Sequence, residues 1–399
     1  MKPSGNIPRW FDGARMTAAM EHSDVTPSFF YDFGIVREKV AMLRGALPAG
    51  VGIHYAMKAN PLPAMVSAMV ALVDGIDVAS GGELAVALKA GAVHISFAGP
   101  GKRDAELESA IRAGSTINLE SETEATRALS IAERLGMTPR LAVRVNPDFA
   151  LKGSGMKMGG GAAPFGVDAE RVPALVKRLI ATGADWRGFH IFAGSQALDS
   201  GAIADTQAAT VALAGKLAQE VGATPPLVNL GGGFGIPYFA GEQPIDVAMI
   251  GERLGGVLEN RDSILKDSKF AIELGRWLVG ECGIYLTRVV DRKESRGEIF
   301  LVTDGGLHHQ LAASGNFGTV VRRNYPIAVA NRFGFDVEET VSVVGCLCTP
   351  LDRLGDQVGL PRADVGDVIA VFMAGAYGAS ASPASFLGHS PAREVLTKV

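Results

Sequence analysis

Between residues 50 and 275 the chain alternates in texture. Short apolar, β-branched runs fall at Gly52–Met57, Ile76–Ala79, Ile95–Ala98, Thr116–Leu119, Leu141–Val145, Gly188–Ala193, Leu227–Leu230 and Phe270–Leu274. Between them lie Ala- and Leu-rich stretches of helical period, at Gly82–Ala90, Ala105–Ala113, Ser121–Leu135, Ala169–Ala181 and Ala202–Val221. Runs that are apolar on both faces suit strands covered on both sides. Eight of them alternating with helices predict an α/β fold, a (β/α)8 TIM barrel. A doubly wound open sheet is the alternative. Beyond residue 276 the pattern changes. Tyr285–Arg288, Glu298–Val302, Thr340–Cys348 and Asp367–Met373 read as strands with short connections, one of them the turn Glu294-Ser295-Arg296-Gly297. This predicts a mostly β C-terminal domain, with Thr26–Asp32 placed to join it. The expected division is a barrel over 33–268 and a β domain from 1–32 plus 269–399.

Unusual residues gather at the C-terminal ends of the predicted barrel strands, the rim where such barrels place their chemistry. Lys58 follows the first strand in His54-Tyr55-Ala56-Met57-Lys58-Ala59-Asn60-Pro61. An amine kept there suits Schiff-base chemistry with an aldehyde, although a surface lysine just past a strand is the plainer reading. Asp77 and Ser80 follow the second strand, and Arg144 and Asn146 close the fifth. His190, Phe192, Gly194, Ser195 and Gln196 lie on and after the sixth, Gly231-Gly232-Gly233-Phe234-Gly235 after the seventh, and Glu273 and Arg276 at the eighth. The glycine run lets backbone N–H groups close on an anion, and Ser195 and Arg276 add donors, which together describe a phosphate cradle. A carboxylate such as Glu273 can keep a pyridine nitrogen protonated.

Composition narrows the partners. The 399 residues carry a net charge of −4, with 47% hydrophobic and 20% charged positions. No basic face is implied, so nucleic acid is not expected. Cys282, Cys346 and Cys348 make no disulfide framework, which points to a reducing, cytoplasmic setting. Cys346-Leu347-Cys348 lacks the spacer of a zinc site, and no metal is expected. Residues 1–12 lack an apolar signal-type core, and the apolar run at 368–379 is too short and glycine-broken to span a bilayer, so no membrane role is expected.

Tyr55-Ala-Met-Lys58-Ala-Asn60, Asp77-Val-Ala-Ser-Gly-Gly-Glu83, Gly194-Ser195-Gln196, Gly231-Gly-Gly-Phe-Gly235, Glu273-Leu-Gly-Arg276, Cys348 and Gly375-Ala-Tyr377 occur in that order. In this the chain resembles the pyridoxal-phosphate decarboxylases of the alanine-racemase-like fold, the group of ornithine, arginine and diaminopimelate decarboxylases. The likeness spans roughly Thr26 to Val395. It implies a barrel plus a β domain, pyridoxal phosphate as cofactor, and a head-to-tail homodimer with shared active sites. By the same likeness, Lys58 would condense with the cofactor aldehyde and Glu273 would hold the pyridine nitrogen. Ser195, Gly231, Gly232, Gly233, Gly275, Arg276 and Tyr377 would bind the cofactor, chiefly by its phosphate. Asp77, Glu83 and Arg144 would orient the ring, and Arg144 would also face substrate. Cys348, from the other subunit, would return a proton after CO2 leaves.

The chain departs from its relatives at three places. Where they read His-x-His-x-Gly-Ser, this chain has His190-Ile191-Phe192-Ala193-Gly194-Ser195, so His190 or Phe192 would cover the ring. Thr349 stands after Cys348, where relatives place an acid for the substrate's distal ammonium. A buried ammonium facing a hydroxyl would be unpaired, so a substrate without a free distal amine is expected, with Asp352 the one residue able to compensate. His308-His309-Gln310-Leu311 replaces the Arg-Pro-x-Leu-Tyr signature of the diaminopimelate enzymes. Gly155–Gly161, His308–Gly318 and Cys348–Asp352 are most similar to the exosortase-associated and butirosin-type decarboxylases. That likeness implies a substrate tethered to an acyl carrier protein, with CoA the alternative tether and Arg322 and Arg323 as candidate contacts to it. The expected activity is α-decarboxylation of an amino acid or aminoacyl thioester. Decarboxylation of free diaminopimelate or ornithine, amino acid racemisation, and a non-catalytic regulatory homologue are the alternatives.

Overall fold

The computed structural model describes residues 1–157, 159–315 and 323–398. By their internal contacts they form two units, one of 39–235 with 245–275, the other of 1–38, 236–244 and 276–399. The last barrel strand therefore stays with the barrel. The boundary expected at residue 268 falls at Gly275, and the segment 236–244 belongs to the β unit rather than to the barrel.

The first strand, β1 (Ser28–Asp32), belongs to the β unit. The barrel follows with β2 (Val51–Ala56), β3 (Gly75–Val78), β4 (Ile95–Phe97), β5 (Thr116–Leu119), β6 (Arg140–Asn146), β7 (Asp185–Ile191), β8 (Leu227–Asn229) and β9 (Lys269–Leu274). Among the described residues these eight strands pair in parallel in chain order, and β9 closes the ring on β2. The closed ring excludes the open-sheet alternative. Each expected barrel strand lies within a few residues of an observed one, because apolar runs this short and this dry suit only buried strands. Ile53, Tyr55, Phe97 and Phe189 are almost fully buried, each contributing roughly 1.5–3 kcal/mol of apolar transfer. The helices are delimited by side-chain caps: Ser80 accepts from the Glu83 N–H, Ser121 from that of Glu124, and Asp199 from that of Ala202. At the N-terminal ends of the strands the interior is not filled. A cavity of about 720 Å³ opens there among Gly52, Ser96, Asn118, Ala142 and Asn229.

The β unit is built on β10 (Gly283–Ser295), β11 (Glu298–Thr303), β12 (Ile327–Val329), β13 (Glu339–Val344), β14 (Arg353–Leu360), β15 (Val368–Val371) and β16 (Arg393–Thr397). Its order is β12-β15-β10-β11-β13-β14, with β1 antiparallel to β10 and parallel to β16. Thr26–Asp32 thus joins this sheet, as its pattern suggested. The turn between β10 and β11 places Arg296 (φ 53°) and Gly297 (φ 82°) in left-handed backbone, the conformation that lets a two-residue hairpin follow the strand twist. Expected strand Thr340–Cys348 stops early, at Val344. Gly345 to Asp352 form a loop instead, which puts Cys346 and Cys348 off the sheet.

Candidate active site

The barrel unit carries most of the expected residues at one rim. Lys58 sits in a single 3-10 turn, Met57–Ala59, immediately after β2. That turn is held from below: the Tyr55 hydroxyl donates to the Asn60 carbonyl at 2.8 Å, and Asn60 accepts the Leu62 N–H. The Lys58 ammonium lies 5.7 Å over the Phe192 ring and makes no hydrogen bond or ion pair among the described residues. A long cation left unengaged at a strand end is an amine available for chemistry.

Strand register then assembles a set of titratable groups. Glu273 stands opposite His54 across β9 and β2, and Arg144 opposite His190 across β6 and β7. His190 donates Nε2–H to Glu273 at 2.8 Å. Burial alone would raise Glu273, but the His190 bond and charge, with Lys58 and Arg144, hold it down to about 2. Glu273 is thus a permanent carboxylate at neutral pH. His54 Nδ1 lies 3.3 Å from Asp77. Burial would depress His54, yet the facing Asp77 raises it, and burial raises Asp77 in turn. Asp77 Oδ2 and His190 Nδ1 are buried without partners among the described residues, two polar atoms left for a bound group.

Arg144 is buried and engaged by Glu120 at 2.8 Å, with its guanidinium over the Phe165 ring. Glu120 also accepts the Gly99 and Gly166 N–H groups, so it ties three loops and Arg144 together. Glu83 accepts the Ala79 N–H and so caps the helix Gly81–Lys89. Ser195 pairs with Met156 in a two-residue ladder after β7, and Gln196 beside it holds φ 60°. The glycine run after β8 is required by close packing. A Cβ on Gly231 would meet the Ile191 carbonyl at 2.6 Å, and one on Gly232 would overlap the Glu273 carbonyl. Gly231 and Gly233 also hold φ of 69° and 87°. A Cβ on Gly275 would meet the Ala56 carbonyl at 2.9 Å.

The remaining expected residues lie in the β unit. Arg276 opens the short helix Arg276–Val279, directly after Gly275 in the chain. Its Nη1 donates to the Tyr238 hydroxyl at 2.9 Å, its guanidinium lies 4.7 Å from the Tyr377 ring centre, and its Nε is buried without a partner among the described residues. Tyr377 holds left-handed backbone, φ 54°, a conformation that costs energy and marks functional sites more often than others. Cys348 is exposed in the loop after β13. Thr349 accepts the Leu351 N–H weakly at 3.3 Å. Asp352 is buried and its carboxylate is occupied by the Leu307 and Leu347 N–H groups, at 2.6 and 2.9 Å. Arg323 pairs with Glu242 and lies over Phe239; Arg322 is outside the described residues. Several residues here had no role in the sequence reading. Among them are His54, Glu120 and Tyr238, which act through partners 23, 24 and 38 positions away.

A free amine, a permanent carboxylate near it, and a glycine-lined rim define a barrel enzyme that works on an electrophilic anionic cofactor. The comparisons agree. Residues 34–280 match the family described as the pyridoxal-dependent decarboxylase, pyridoxal binding domain. The chain is 36% identical over 395 residues to the L-glutamyl-[BtrI acyl-carrier protein] decarboxylase of Niallia circulans, covering 97% of this chain and 92% of that one. It is 29% identical over 373 residues to the 2-[(L-alanin-3-ylcarbamoyl)methyl]-2-hydroxybutanedioate decarboxylase of Staphylococcus aureus, covering 90% and 91%. Its fold is similar to crystalline diaminopimelate decarboxylase from Helicobacter pylori complexed with L-lysine, with a TM-score of 0.84, 26% identity and coverage of 96% and 94%. The chain belongs to the pyridoxal-dependent decarboxylases. It is a carboxy-lyase that uses pyridoxal phosphate, and the orphaned polar atoms, the unengaged amine and the acidic Glu273 all fit that group.

Proposed function

We propose that this enzyme removes the α-carboxylate of an amino acid unit whose far end carries no free ammonium, most simply a glutamyl or similar unit tethered through a thioester or amide to an acyl carrier. The observation that carries this reading is the loop after Cys348. Its first residue is neutral Thr349, and its one acid, Asp352, spends both carboxylate oxygens on backbone N–H groups. A distal ammonium brought to that loop would find no spare carboxylate, and an unpaired buried charge costs several kcal/mol. The two relatives above are named for a glutamyl unit borne on an acyl-carrier protein and for an alanine unit joined through a carbamoyl link, neither with a free distal ammonium, which supports the same class.

Pyridoxal phosphate, when bound, supplies an aldehyde for the substrate amine and a ring that accepts the electron pair left as CO2 departs. Lys58 would hold the aldehyde through its amine and yield that place to the substrate amine. Glu273, kept ionised by His190, would face the pyridine nitrogen and keep it protonated. Phe192, whose ring lies 5.7 Å from the Lys58 ammonium, would cover one face of the ring as an apolar plate. The glycine run, Ser195 and Gly275 of the barrel unit would take the phosphate, and the family resemblance adds Arg276, which Tyr238 aims, and Tyr377. The Cys348 thiol donates the proton that replaces the carboxylate on Cα. Cys348 is exposed in the single chain, which supports its delivery to a second copy in a homodimer with shared sites.

The test is a CO2-release comparison of the purified enzyme on carrier-bound glutamyl thioester, free glutamate, ornithine, lysine and diaminopimelate. The tethered substrate is expected to turn over at least tenfold faster, in kcat/KM, than any free diamino acid. Efficient turnover of ornithine or lysine would overturn the argument from Thr349 and Asp352.

A further inference from the structure

Outside the cofactor site, three loops of the β unit bring His308, Cys346 and His389 together, with their ligating atoms all within 4.8 Å of one another. His308 comes from the turn after β11, Cys346 from the loop after β13, and His389 from the segment before β16. These residues are 38 and 43 positions apart, so no local spacing announces them. His308 is fully buried, and neither of its ring nitrogens has a partner among the described residues. A buried imidazole with both nitrogens unsatisfied is a costly arrangement unless something binds it. The Cys346 thiol lies 3.9 Å from His389 Nε2 and 3.6 Å from the Asp304 carbonyl.

The surroundings hold the pocket in place. The His309 ring is tilted against His308 with centroids 3.8 Å apart, accepts from the Tyr285 hydroxyl at Nδ1 and donates from Nε2 to the Ser390 carbonyl. It is therefore committed as a brace rather than a ligand, and it ties the His389 segment to the His308 turn. Asp352 fastens the Cys346 loop to the same turn through Leu307 and Leu347. A tetrahedral zinc with bonds of about 2.0–2.3 Å to nitrogen and sulfur sets its ligand atoms roughly 3.5 Å apart, so the widest pair here closes by little more than 1 Å. One soft thiolate and two imidazoles favour zinc and its neighbours over magnesium or calcium. Three protein ligands leave a fourth position for water.

We propose that His308, Cys346 and His389 form a binding site for a divalent zinc-class cation. On binding, Cys346 loses its proton to solvent and the sulfur–metal bond forms. Because Cys346 is two residues from Cys348, the cation also anchors the loop that carries the proton-donating thiol.

The experiment uses full-length holoenzyme freed of metal with a chelator. Zn2+ is titrated in and counted per chain after desalting, and Co2+ is added separately to read ligand-field bands in the red, away from cofactor absorption. One Zn2+ per chain and an intense tetrahedral cobalt band are expected. Cys346→Ser and His389→Gln are each expected to weaken Zn2+ at least about tenfold, since even losing an outer-shell partner costs that much, while Cys348→Ser keeps full affinity. Binding well below one per chain overturns the proposal. So does unchanged binding by Cys346→Ser, or loss in Cys348→Ser. His389 lies on a surface segment, so its variant carries the test if Cys346→Ser does not fold.

Discussion

Glu273 shows how one carboxylate is made to serve one purpose. It is buried, which favours the neutral acid, yet a 2.8 Å bond from His190 keeps it charged, at about 2. Its folded value lies below the ordinary 4.5, so its contribution to stability is complete above pH 4.5 and is lost as pH falls toward 2. Chemical denaturation of apoenzyme at pH 7 and pH 3 is expected to show a larger acid loss in wild type than in Glu273→Gln. Equal losses would show that Glu273 is not held in this way. The same variant is expected to retain its cofactor band while kcat falls about 100-fold or more, the usual scale for losing one aligned charge partner. The motifs at this scale were readable because each is local: Lys58 beside Asn60-Pro61, the triple glycine, and Glu273 three residues before Arg276. Their partners were not. Nothing local to His54 points to Asp77, nor anything near Tyr238 to Arg276, since only barrel closure or sheet packing brings each pair together.

At the scale of elements, the barrel rim depends on loops that are pinned by buried charge. Glu120 accepts from Arg144, Gly99 and Gly166, joining the ends of β4, β5 and β6. Lys102 and Glu124 do the same nearby: the ammonium donates to the Gly99 and Asn118 carbonyls and to Glu124. Removing one member of a buried pair strands the other. Glu120→Ala is therefore expected to destabilise the barrel by about 3–5 kcal/mol, read from denaturant midpoints at constant slope. A loss below 1 kcal/mol would mean the Arg144 guanidinium finds water instead. The alternation of apolar runs and helices made this architecture legible before any coordinates. What it could not show was where individual strands stop. Expected strand Gly188–Ala193 ends at Ile191, and Thr340–Cys348 ends at Val344, because apolar side chains continue into loops that are buried for other reasons.

For the whole molecule, the proposed homodimer makes a sharp demand. If Cys348 serves a neighbouring chain's Lys58, two dead variants complement each other. Equal mixing of Lys58→Ala and Cys348→Ala subunits, after dissociation and reassociation, gives half hybrid dimers with one intact site each, so about a quarter of wild-type activity returns. No recovery in verified hybrids would place both groups in one chain. The β unit carries a further consequence. Strand β1 lies between β10 and β16, with Tyr31 bonded to Glu394 and Asp32 paired with Lys398. About 360 residues separate its two ends of pairing, Asp32 and Arg393. At ribosomal rates of about 5–20 residues per second, roughly 20 to 70 s pass between the emergence of one strand and of the other. The nascent barrel can close meanwhile, but the earliest strand made must wait as an unzipped apolar edge for its last neighbour, and chaperones have that interval in which to hold it.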